Sequence, residues 1–168
     1  MVYRILLFNQ QSIGKFDGEE LHRNLLDVSY ESLCAQYGLD PAQIETTKSH
    51  IEVVVSKDGG FPFFLVNYGS NHFQRPLVVY EWSVEKGIGK QIVDGYIHGN
   101  TNQEITDYLM STKFILEIEL KELQLRDLGL LLAYEIARWG ANLGEGVIFG
   151  LDNVWYRLNQ HQAFIPLI

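Results

Sequence analysis

Lys113–Leu158, KFILEIELKELQLRDLGLLLAYEIARWGANLGEGVIFGLDNVWYRL, decides the fold class. Its opening alternates. Phe114, Leu116, Ile118 and Leu120 fall on one side of an extended chain, and Ile115, Glu117 and Glu119 on the other. LRDLGLLLAYEIARWGANLG (125–144) then spaces its apolar residues as a helix does and stops at a glycine, which tolerates a left-handed cap. EGVIFGL and VWYRL follow as two short apolar runs hinged at Asp152-Asn153. Strand, helix, strand, tight turn and strand make a mixed α and β chain.

Working outward, Val2 to Phe8 is a nearly continuous apolar run, as in a buried strand. Asp17 and Glu20 have capping-box spacing and predict a helix with Leu21, Leu25 and Val28 on one face, broadened by Leu33 and Tyr37, that stops at Gly38. Asp40-Pro41 opens a shorter helical turn. Three strands follow at His50–Ser56, Phe61–Asn67 and Pro76–Ser83, the first two joined by a Lys57-Asp58-Gly59-Gly60 turn. Pro62 argues for an edge or strand end. Lys86–Lys90 breaks the chain before a helical stretch weakened by Gly95, and Thr101 with Glu104 predicts a second capping box. The tail, QHQAFIPLI, is too short for a core element. The expected fold is a single α+β domain over residues 1–168 with a mixed, mostly antiparallel sheet and helices packed on one face. The expected order is β-α-(α)-β-β-β-α-β-α-β-β.

The 168 residues are enough to bury a core without disulfides or a structural metal. With 46% apolar and 20% charged residues the chain lies well outside the disordered range. Aromatic residues at 12% supply both buried area and contact surface. The single cysteine, Cys34, excludes an internal disulfide and a cysteine-based zinc site, and its apolar neighbours mark it as core. MVYRILLFNQQ is too short and polar-flanked for a signal peptide, and no window reaches the ~20 apolar residues of a membrane span. A cytoplasmic protein is expected. The net charge of −8, with no basic cluster interleaved with aromatics, argues against nucleic acid and anionic membrane as partners.

Three features carry candidate chemistry. The first is the glycine bend Lys86-Gly87-Ile88-Gly89-Lys90 between a strand and a helix. Gly87 and Gly89 would let backbone amides approach a phosphate, and Lys90 would add charge. The spacing fits neither a Walker A loop nor G-x-G-x-x-G, because Ile92 holds the third glycine position. The bend resembles the pyrophosphate loop of the acetyl-CoA-dependent N-acetyltransferases of the GNAT superfamily, Arg/Gln-x-x-Gly-x-Gly/Ala, and the element order is similar. Val84 departs from the Arg/Gln position. That resemblance implies acetyl-CoA bound at Gly87, Gly89 and Lys90, and strands Pro76–Ser83 and Lys113–Leu120 lying parallel with a gap between them. It supplies no catalytic residue. The plain reading is a glycine turn with solvated lysines.

The second is the acidic strand side, Glu117 and Glu119, to which neighbouring strands would add Glu52 and Glu81. Paired carboxylates serve acid–base work or hold a divalent cation, but an antiparallel sheet with one wet face gives the same pattern. The third is the carboxyl-terminal region. Glu135, Arg138 and Asn142 form the polar stripe of a helix that is apolar nearly all round in its first half, so it is either central or meets another chain. Trp139 reads as core, and Trp155 and Tyr156, adjacent on a strand, face opposite ways.

Elsewhere the signals are weak. His22, His50, His72, His98 and His161 show no metal-ligand spacing, and Ser12, Ser70 and Ser83 lie in or beside loops with no recognisable base. No catalytic residue, metal or cofactor is expected. The leading expectation is a non-enzymatic protein-binding domain, similar in composition to bacterial immunity and adaptor proteins. It would meet a basic protein partner or a second copy of itself through Glu117, Glu119, Trp155 and Tyr156. The GNAT-like acyltransferase is the alternative.

Overall fold

A computed structural model describes residues 1–14, 18–28, 30, 38, 40–56, 63–69 and 75–167. Outside them lie Asp17, Leu33, Cys34, Tyr37, the Lys57–Gly60 turn, Pro62, Ser70 and His72. The described strands are β1 (Val2–Asn9), β2 (Glu52–Val55), β3 (Phe64–Asn67), β4 (Leu77–Ser83), β5 (Phe114–Lys121), β6 (Val147–Phe149), β7 (Trp155–Leu158) and β8 (Phe164–Pro166). The helices are α1 (Glu19–Asp27), α2 (Ala42–Lys48), α3 (Gly87–His98), α4 (Gln103–Ser111) and α5 (Gly129–Gly144), with a 3₁₀ turn at Glu122–Arg126. The fold class is α+β, and the strands follow the order β2-β3-β4-β5-β1-β6-β7-β8 in one antiparallel sheet. Its residues gather into two compact units: 1–3, 15–79 and 118–136 in the first, 4–14, 80–117 and 137–168 in the second.

The first unit is built on β2, β3 and the start of β4. Val53 lies opposite Val66 and Val55 opposite Phe64, while Phe64 and Val66 face Val79 and Leu77. Phe64, Val66, Leu77 and Val79 are fully buried, as are Leu21 and Leu25 on α1. Helix α1 is shorter than its pattern predicts and closes at Asp27, because Val28 is already extended. Its cap is Gly18, in the left-handed region at φ 90°, with no side-chain hydrogen bond. A Cβ there would come within 3.1 Å of Val53, so glycine lets the chain lie flat on β2. The α2 start matches expectation, with the Asp40 carboxylate accepting from the Ala42 amide.

The second unit buries Leu6, Phe8, Ile115, Val147 and Leu167 with Val93 of α3 and Ile105 and Leu109 of α4. Strand alternation turns Leu7 and Leu116 to the other side. There Gly140 of α5 approaches so closely that a Cβ would lie 2.7 Å from Leu116 and 2.9 Å from Leu7. Helices therefore cover both faces in this unit, where the sequence predicts one. Antiparallel strands with one wet face need a polar row, and on β5 the side that carries Glu117, Glu119 and Lys121 also carries the apolar Ile115.

Three boundaries move for local reasons. Helix α3 begins at Gly87, so the glycine bend is its first turn rather than a loop before it. Asn102, not Thr101, caps α4, its side-chain oxygen accepting from the Ile105 amide at 3.1 Å. The tail, expected to be too short for an element, adds β8 beside β7, and Leu167 enters the core.

The start of α5 is held by a buried phenol. Tyr68 donates its hydroxyl to Asp127 at 2.8 Å, and the same Oδ1 accepts from the Gly129 amide at 2.7 Å. Burial first, then the neighbouring Asp127 carboxylate, push the Tyr68 hydroxyl far above the ordinary tyrosine range. The folded form thus favours the neutral phenol, whereas in the unfolded chain it ionises near pH 10. This contribution is complete below about pH 10 and is lost as pH rises above it. Tyr68→Phe is expected to lower stability by about 1 kcal/mol at neutral pH. It should also flatten the alkaline decline, which urea midpoints measured across pH will show.

Candidate protein-binding surface

The residues singled out in the sequence do not converge. In the glycine bend, Gly87 takes φ 68° with open space around its α-carbon, whereas Gly89 is buried against the end of β4. A Cβ at Gly89 would lie 2.1 Å from the Ser83 carbonyl oxygen. That glycine lets helix and strand end touch. Lys90 is engaged within α3, its Nζ 2.8 Å from Asp94. The Val84 amide donates to the Lys113 carbonyl at 3.0 Å, so β4 ends beside the start of β5 and the two run antiparallel. The GNAT resemblance implies parallel strands with a gap at this place.

Glu117 overturns the wet-face expectation. It is buried, with 8% of its side chain exposed. Arg4 Nε of β1 lies 2.6 Å from one carboxylate oxygen, and Trp82 Nε1 of β4 donates to the other at 2.8 Å. Strands β4 and β1 are the two neighbours of β5, so one carboxylate ties three adjacent strands. The Tyr80 ring stacks on Trp82 at 5.4 Å between centroids. Ile115 carried the missed signal: it shares Glu117's side of the strand and is fully buried.

The remaining carboxylates scatter. Glu119 is half-buried. Glu81 faces away from Trp82 by strand alternation and fastens a loop, accepting from Ser12 Oγ at 2.7 Å and the Ile13 amide at 3.0 Å. Glu52 is exposed on β2.

Trp155 and Tyr156 separate as adjacent strand residues must. Trp155 joins an aromatic group with Phe149 at 4.8 Å, Phe8 at 5.1 Å and Tyr96 at 5.7 Å. Burial there raises the Tyr96 hydroxyl above the ordinary tyrosine range, and the Arg4 charge partly offsets the rise. Tyr156 stands edge-on to Phe164 and donates its hydroxyl to Asp152. The α5 stripe is also partly covered: Glu135 is buried and the Arg138 guanidinium lies 5.2 Å above the Phe164 ring. Trp139 is buried, as its pattern predicts.

The described residues also form two shallow grooves. One, of about 320 Å³, is lined by Gln10, Glu104, Asp107, Tyr108 and Ser111 along α4. The other, of about 240 Å³, runs between α1 and β2 and is lined by Gly18, Glu19, His22, Ile51, Glu52 and Val53. Each carries two carboxylates, and among the described residues neither has a lysine or arginine in its lining. His22 Nε2 lies 2.9 Å from the Ile51 carbonyl oxygen and donates to it. Among the described residues no cluster of histidine, cysteine or carboxylate side chains has the geometry to hold a metal, and no helix is long and apolar enough to cross a membrane. No protein-family model, curated protein or solved structure matches the chain.

Gly89→Ala is expected to cost about 1–3 kcal/mol by overpacking, against roughly 1–2 kcal/mol for Gly87→Ala, which only strains a left-handed residue. Trp82→Phe leaves one buried carboxylate oxygen without its donor and should cost about 1–3 kcal/mol. Urea denaturation of the three variants measures all three effects.

Proposed function

We propose that this chain is a non-enzymatic protein-binding domain that acts in the cytoplasm and recognises a basic partner. The observation that carries the reading is the make-up of two grooves among the described residues, both shallow and each with two carboxylates in its lining. Shallow acidic grooves on a chain of net charge −8 favour a positively charged protein surface by complementarity of potential. The bend at Gly87–Gly89 adds support, because close packing against Ser83 accounts for its buried glycine without a phosphate.

The test is recovery of the cross-linked chain from the cells that make it. One protein is expected in stoichiometric amount, released as salt rises from about 0.1 to 1 M and the screening length falls from about 10 to 3 Å. The opposing result is no such partner together with a thermal shift on adding acetyl-CoA. A ligand at a hundredfold its dissociation constant stabilises by about 2.7 kcal/mol.

A further inference from the structure

The two outer strands of the sheet are finished differently. Strand β8 is three residues long and ends in Pro166. The Leu167 amide donates inward to the Trp155 carbonyl at 2.8 Å, so by alternation Pro166 holds the outward position, where an amide would otherwise be offered. Short length and an outward proline are the usual devices that stop an edge from pairing.

Strand β2, at the other end of the strand order, is also short, at four residues, but lacks the proline. Its sequence is Glu52-Val53-Val54-Val55, without proline, lysine or glycine. The Ser56 amide donates inward to the Phe63 carbonyl at 3.2 Å. Alternation then turns the backbone groups of Glu52 and Val54 toward β3, and those of Val53 and Val55 to the outside. The Ile51 carbonyl, in the same outward phase, is the one His22 meets. Val53, Ile51 and Glu52 line the 240 Å³ groove beside α1, and Val54 is 41% exposed.

We infer that the outer edge of β2 is a strand-addition site for an extended, basic segment of a partner protein. The inference rests on the protein-binding reading above and assigns it a place. Backbone pairing to Val53 and Val55 supplies affinity, and alternate side chains supply selectivity. A lysine or arginine of the incoming strand lies on the Glu52 side, and an apolar residue lies on the side of Val53 and Val55. A second copy of this chain fits less well, since it would bring another −8 and a second acid-lined groove to the same edge.

The probe is acetyl-(Val-Lys)₄-amide, with acetyl-(Val-Glu)₄-amide as control, added to the full chain and followed by amide NMR and hydrogen exchange. The expected result is slower exchange at Val53 and Val55, by about tenfold or more, with the lysine peptide alone. Glu52→Lys should weaken binding by about fivefold, the size of a cross-strand charge pair. Val53→Pro removes the outward amide while keeping the ladder to β3, and should abolish the protection. Unchanged exchange at Val53 and Val55 with the lysine peptide overturns the inference. So does protection of the same two amides without peptide in a chain that sediments as a dimer, which makes a second copy the occupant. If the partner recovered from cells binds Val53→Pro as tightly as the unaltered chain, the edge is not the site, yet the protein-binding reading stands.

Discussion

A carboxylate in the middle of a strand covered on both sides is the constraint on which the second unit depends. Transfer of an unpaired carboxylate into a protein interior costs several kcal/mol, so Glu117 is tolerable only with its two donors in place. Arg4 comes from β1 and Trp82 from β4, which obliges both strands to flank β5 in one register. Arg4 remains half exposed, so the pair keeps part of the hydration of its cation and avoids the full penalty of a buried ion pair. The apolar residues around it set where the helices go. Ile115 is covered with Val93, Ile105 and Leu109 on one side, and Leu116 meets α5 at Gly140 on the other.

Much of this architecture is legible in the sequence. The strands at the amino terminus, at Glu52–Val55, at Leu77–Ser83 and through Lys113–Leu158 announce themselves by apolar runs and turn residues, and α5 by its period and terminal glycine. What misleads is alternation on a covered strand. Glu117 and Glu119 look like a solvated row because a pattern of two records which side a residue takes, not whether that side is wet. The burial of Ile115 shows how to correct the inference: a strand whose charged side also carries an isoleucine is a candidate for cover on both sides.

The candidate site is less legible, because it is made of backbone. No side-chain motif marks the outer groups of β2; they follow from strand order and hydrogen-bond phase, neither of which a single sequence displays. The glycine bend misleads in the opposite way. Two glycines near a helix start suggest a phosphate cradle, but contact with a carbonyl selects for glycine as strongly as contact with a ligand does. Trp155 and Tyr156 likewise attract notice by residue type, and neighbouring aromatic rings account for both.

Pro166 bears on how the chain behaves in a crowd. Growth of a sheet by stacking identical molecules needs pairing backbone groups at both edges of every copy, and the ring-closed nitrogen of Pro166 removes an outward amide from one of them. Open-ended stacking, the route to fibres, is therefore disfavoured at this edge.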